Sequence, residues 1–299
     1  MGKLMKIFKI LENIFLSEHT KKRIEKVILY VALISFFIHL IIIGLSKFDI
    51  ISLFPNSELL LNPISAIYTP FSFILIYEVY LLIYYLPKSF TIYITKQYEI
   101  ITLIIIRKLF KDLSMLELTS DWFDIKGDLQ FTYDIFASLV LFFLIFHFQK
   151  QGNRKTEKKN KIGPMVERFV KRKKIIAIVL VPFFFVLALS TLIQWSSEIS
   201  FSTEVMPSFE TINNLFFDDF FTVLILVDVI LLLISFFYTD KFHKIIRNSG
   251  FIVSTILIRL SFGVSGIVST ILIIVAVLFG LLIILIHNEY EKNNTLNNT

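Results

Sequence analysis

Two acids stand alone inside apolar runs, Glu78 in YEVYLLI (77–83) and Asp228 in VDVILLL (227–233). Each lies roughly eight or nine residues from the inner end of its run, about 12–14 Å deep at 1.5 Å per helical residue. A carboxyl group out of water is expensive. It either binds a cation or relays a proton, or it is a structural group bonded to Tyr, Ser or Thr on a neighbouring helix. Glu99 falls at a similar depth on the next run. Facing Glu78, it would let two carboxylates share a proton or coordinate a cation. Arg107 and Asp134 lie toward the outer ends of successive runs and form a candidate charge pair. Snorkelling to the interface is the alternative for Arg107 and for Arg259. His39 lies within a run, and His147 and His287 close two others. These three are candidate pH-responsive groups. Hydrogen-bonded packing is the alternative for His39, and helix C-terminal capping for the other two.

The chain contains no Cys, which excludes disulfides, thiolate zinc sites and thiol chemistry. It carries no nucleotide loop, no His-Glu-x-x-His and no nucleophile elbow, so neither a cofactor, a metal centre nor a catalytic reaction is expected. Richness in Ile, Phe, Lys and Asn points to an AT-rich, bacterial genome.

These groups need elements to hold them. Of the 299 residues, 56% are hydrophobic, and the mean hydropathy is +0.75. The excess is concentrated in long apolar blocks, which predicts an all-α, polytopic transmembrane protein. Six blocks are long enough to cross: 27–45, 66–86, 131–149, 175–194, 217–237 and 265–286. Two are shorter, YEIITLIIIRKLF (98–110) and GFIVSTILIRLSF (250–262). Residues 1–25 read as an amphipathic segment lying on the inner surface, with Leu4, Ile7, Leu11 and Ile14 on one face among Lys3, Lys6, Lys9 and Glu12. No small-residue cleavage site follows it.

Charge sets the orientation. The stretch 150–174 is dense in Lys and Arg, opposed only by Glu157 and Glu167, and must be cytoplasmic; so must the N-terminal segment with Lys21, Lys22, Arg23 and Lys26. The net charge of +6 is thereby explained by inner loops and calls for no nucleic acid. Between two inside segments the number of crossings is even, and the long blocks supply three, so 98–110 is required to cross. Its exit, with Glu117, Asp121 and Asp124, suits the outside.

The chain also repeats itself. YEIITLIIIR (98–107) aligns onto GFIVSTILIR (250–259), YEVYLLI onto VDVILLL, EKVILYVALISFF (25–37) onto KKIIAIVLVPFFF (173–185), and LFFLIFH (141–147) onto LLIILIH (281–287). Glu78 then falls over Asp228, Arg107 over Arg259 and His147 over His287. The expected organisation is two parallel four-helix repeats, 26–149 and 173–290, joined by a basic linker, 150–172, and followed by a polar tail, 291–299. That makes eight spans in the cytoplasmic membrane with both termini inside. Pro70 and Pro182 are expected to kink their spans.

The unit FSFILIYEVYLLIYYLPKSFTIYITKQYEIITLIII (71–106) resembles the second and third helices of the four-helix sensor domain of voltage-gated cation channels. That family places an acid in the second helix, matched by Glu78. It opens the third with Trp-Asn-apolar-apolar-Asp, where Tyr98, Glu99, Ile100, Ile101 and Thr102 stand here. In the second copy Asp228 fits, while Gly250, Phe251 and Ser254 depart. Spans 131–149 and 265–286 contain no Lys or Arg, so the gating charges of the family's fourth helix are absent, and there is no Thr-Val-Gly-Tyr-Gly filter. The resemblance implies sensor-shaped bundles and, with the buried acids, ion or proton movement or sensing. The alternative is a non-catalytic membrane anchor or effector subunit whose basic stretch 150–174 meets a cytoplasmic protein or anionic lipid.

Overall fold

The computed structural model describes residues 2–48, 63–115, 126–153, 164–201, 209–264 and 266–296. Among the described residues the protein is all-helical: α1 (Gly2–Phe15), α2 (Glu18–Lys47), a short 3₁₀ turn (Pro63–Ile67), α3 (Tyr68–Tyr85), α4 (Phe90–Met115), α5 (Lys126–Asn153), α6 (Pro164–Phe201), α7 (Phe209–Phe236), α8 (Phe242–Phe262) and α9 (Ile267–Leu296). Six stretches are long and apolar enough to cross a membrane: 6–47, 129–152, 164–190, 219–236, 242–262 and 267–293. The 250–262 block qualifies because α8 begins earlier, at Phe242. By contrast α3 is apolar but shorter. At 26 residues α4 has the length, about 39 Å at 1.5 Å per residue, but Lys96, Glu99, Arg107, Lys108, Lys111 and Asp112 interrupt it.

Several boundaries move. The N-terminal segment ends at Phe15, not near residue 25, because Ser17 caps a new helix: its Oγ accepts from the Thr20 amide at 3.1 Å. The expected polar tail is helical through Leu296, so Glu291 belongs to α9. Likewise α5 runs to Asn153. His147 and His287 therefore sit inside helices and do not cap them, because the polar residues that follow continue the backbone ladder. Pro70 falls in the first turn of α3, where its missing N–H costs nothing; Pro182 is internal to α6. The acidic exit segment 116–125 and the middle of the basic linker, 154–163, lie outside the described residues.

The chain forms two compact units, 1–84 with 174–224, and 85–173 with 225–299. Both draw on each half of the sequence, cutting across the expected 26–149 and 173–290 repeats. In the first unit, tyrosines at helical spacing on α3 grip the α1–α2 junction. The Tyr80 hydroxyl donates to the Phe15 carbonyl at 2.8 Å, Tyr84 to Glu18 at 2.7 Å and Tyr77 to Glu25 at 3.1 Å. Lys174 pairs with Glu12 at 2.6 Å. Along α2 only Ala32 and Ile43 are buried. Its exposed face includes Val27, Leu29, Leu33, Phe37 and Ile41, a surface suited to lipid.

In the second unit, α4–α5 and α8–α9 form two helical hairpins, joined where α5 packs along α9. The α8–α9 turn closes through Gly263, whose amide caps Leu260, and Gly266, which takes φ +72°. The core is aromatic: Phe148 of α5 meets Tyr98 of α4 at 4.9 Å and Phe251 of α8 at 5.4 Å, both edge-on. Such pairs are each worth about 0.5–1.5 kcal/mol beyond burial. The Tyr98 hydroxyl shares a 2.7 Å bond with Ser254 Oγ, which donates to the Ala276 carbonyl at 2.6 Å. Gly280 makes room for this junction, since a Cβ there would collide with the Tyr98 hydroxyl.

Candidate functional site

Among the described residues Asp228 is the most buried acid, 2% exposed on the C-terminal half of α7. Burial follows from its neighbours in sequence, since every side chain from Val227 to Leu233 but this one is apolar. Its Oδ2 accepts from the Gln97 amide of α4 at 3.0 Å. One turn earlier on α4, fully buried Tyr93 faces the same carboxylate. The Tyr93 hydroxyl and Asp228 Oδ1 are both buried without a hydrogen-bond partner among the described residues. Buried polar atoms rarely stay unsatisfied. The two groups lie close enough to interact, so the tyrosine proton and the carboxylate are coupled within one buried cluster.

A cation stands nearby. Lys173, at the N-terminal end of α6, is 1% exposed and lies within electrostatic range of Asp228. Its Nζ donates to the Lys88 carbonyl at 2.7 Å. It sits over the Phe90 ring at 4.8 Å and the Phe169 ring at 5.5 Å, and aromatic faces attract ammonium. Phe169 stacks on Phe90 and meets Tyr238 at 5.3 Å. An aromatic seat thus holds one charge of the basic run in the interior, opposite the acid but not in salt-bridge contact with it.

The other expected residues are distributed. Glu99 accepts from Gln149 of α5 at 2.7 Å and pairs with Lys96 at 2.5 Å, both partly exposed. Glu78 is half-buried on α3, in the first unit. His39 Nδ1 lies 2.6 Å from Thr69 Oγ. His147 is half-buried, its Nδ1 bonded to the Phe143 carbonyl at 2.9 Å. Asp134 is indeed buried and ion-paired, but with Lys108 at 2.8 Å, the residue after the expected Arg107. Arg107 itself is buried. The physical reason is helical phase, since one residue turns a side chain by about 100°. Gln130 at 3.0 Å and Thr270 at 2.6 Å fill Asp134 Oδ1.

The unexpected residues are Gln97, Tyr93 and Lys173. Gln97 is a lone amide in a predicted span and gives a weak signal. Lys173 is masked by the charges around it in KRKK, and only its closeness to the apolar block marks it. No family model, curated protein or solved structure matches the chain.

Proposed function

We propose that the chain is a multi-pass membrane protein of eight spans that moves or senses a proton or small cation at the Asp228 centre. The supporting observation is a carboxylate buried among apolar helices and grouped with a buried tyrosine, a glutamine amide and a buried lysine. Gln97 and Lys173 support the same reading: one orients the acid, and the other offsets its charge without occupying it. With no Lys or Arg in 131–149 and 265–286 to carry charge through the field, the buried acid is the candidate mobile-charge site. Glu99, partly exposed on α4 of the same unit, stands as an access group.

Reconstituted vesicles with an interior pH dye and an imposed potential test this. Wild-type protein is expected to carry a flux that Asp228→Asn abolishes and Lys173→Met alters in dependence on the potential. Flux of undiminished size in Asp228→Asn would remove the acid from the mechanism. Absence of any flux in the wild type would leave the anchor role of the basic stretch as the surviving reading.

A further inference from the structure

Away from Asp228, three side chains converge where the start of α8 meets the end of α9. His243 Nε2, His287 Nε2 and a Glu291 carboxylate oxygen all lie within 4.8 Å of one another. The Glu291 oxygen is 3.3 Å from His287 Nε2 and 3.8 Å from His243 Nε2. His287 and Glu291 are one helical turn apart, and the fold brings in His243 from 44 residues away in the sequence.

The hydrogen bonds fix which atoms carry lone pairs. Arg247 Nη1 lies 3.1 Å from His287 Nε2. A guanidinium only donates, so Nε2 accepts and the ring proton sits on Nδ1. That Nδ1 is 3.2 Å from the His243 carbonyl and donates to it. An imidazole anchored through one nitrogen to a carbonyl, with a lone pair on the other nitrogen, is the arrangement of metal-ligating histidines. The Nε2 lone pair and the Glu291 oxygen therefore face each other at 3.3 Å, an arrangement that repels unless a positive group lies between them. Arg247 supplies that charge here. Its Nε and Nη2 are held separately by Asn248 Oδ1 at 3.2 and 3.0 Å, so the guanidinium keeps that anchor when Nη1 yields.

The geometry points to a binding site for one borderline divalent transition-metal ion, with Zn²⁺ the natural probe, ligated by His243, His287 and Glu291 in place of Arg247 Nη1. Two imidazoles and one carboxylate suit Zn²⁺ and leave a fourth position open. Glu291, at 32% side-chain exposure, gives water and metal access. The site shares no residue with the Asp228 centre.

The test is Zn²⁺ titration of the untagged full chain in nanodiscs by calorimetry, with Co²⁺ absorption reporting coordination. The lack of Cys removes competing thiolates. One equivalent is expected to bind. His287→Ala and Glu291→Gln should each weaken binding by at least about tenfold, the lower end of the loss seen even for outer partners of metal ligands. Arg247→Gln should strengthen it, because the competing cation is gone, and this variant needs no ligand removed. Wild-type binding no tighter than that of a His243→Ala/His287→Ala double variant would overturn the site. So would unchanged or weaker binding in Arg247→Gln with its helical circular dichroism intact.

Discussion

At the scale of single residues, Gly280 and Tyr98 make the sharpest demand on each other. The Tyr98 hydroxyl occupies the space where any other residue at 280 would put its Cβ, and Tyr98 is fully buried, so it has nowhere to retreat. Gly280→Ala is expected to destabilise the protein by about 1–3 kcal/mol, the usual penalty of forced overpacking. The check is thermal unfolding in detergent. Tyr98→Phe in the same background should recover part of the loss, since Ser254 keeps its bond to the Ala276 carbonyl after the hydroxyl is gone. A second residue-scale expectation concerns Asp134. Thr270→Val leaves one of its oxygens with only the Gln130 amide and should cost about 1–3 kcal/mol; an unchanged unfolding midpoint would show that the contact carries no weight.

Asp228 is legible in the sequence because a lone acid in an uninterrupted apolar run must find a partner or lose its charge, whatever its role. Its partners are not legible, because Gln97 lies 131 positions away and hydrophobic periodicity says nothing about which helices become neighbours. Asp134 pairs with Lys108, the residue after the expected Arg107, for a related reason: sequence gives the depth of a charge well and its rotation about the helix poorly. His243 and Glu291 escape notice because each falls in a stretch that reads as polar flank.

At the scale of elements, the helices themselves are legible and their ends are not. Apolar blocks announce spans, but polar residues that favour helix extend α5, α8 and α9 beyond the membrane pattern. The α1–α2 break is an exception that chemistry does reveal, through Ser17 followed by Thr20. Ser17→Ala should cost about 0.5–2 kcal/mol, as loss of an N-cap does. Because the Tyr77, Tyr80 and Tyr84 hydroxyls also bind this junction, the loss should appear as faster amide exchange confined to α1 and the first turns of α2, not as global unfolding. Uniform acceleration across the chain would mean that the junction is not a separate local unit.

For the whole molecule, the decisive quantity is the number of crossings. Six helices qualify by length and composition, and the two that do not, α3 and α4, are those on which the eight-span proposal depends. Single cysteines at positions 115, 160 and 262 of this cysteine-free chain, labelled in intact cells with an impermeant thiol reagent, measure it. Labelling at 115 and 262 but not at 160 is expected; protection at 115 with labelling at 160 would remove α4 as a crossing and the parallel arrangement with it.

The second unit joins residues 85–173 to residues 225–299. During synthesis, α4 and α5 are complete while α9 is still untranslated. At 5–20 residues per second the wait from Asn153 to Leu296 is ~7–30 s. Throughout it the nascent chain holds Tyr98 without Ser254, Asp134 without Thr270, and the flank of α5 without its cover. Biogenesis of the early hairpin is thus completed by the last helix, and a premature stop before α9 would deprive helices encoded in the first half of the gene of their partners.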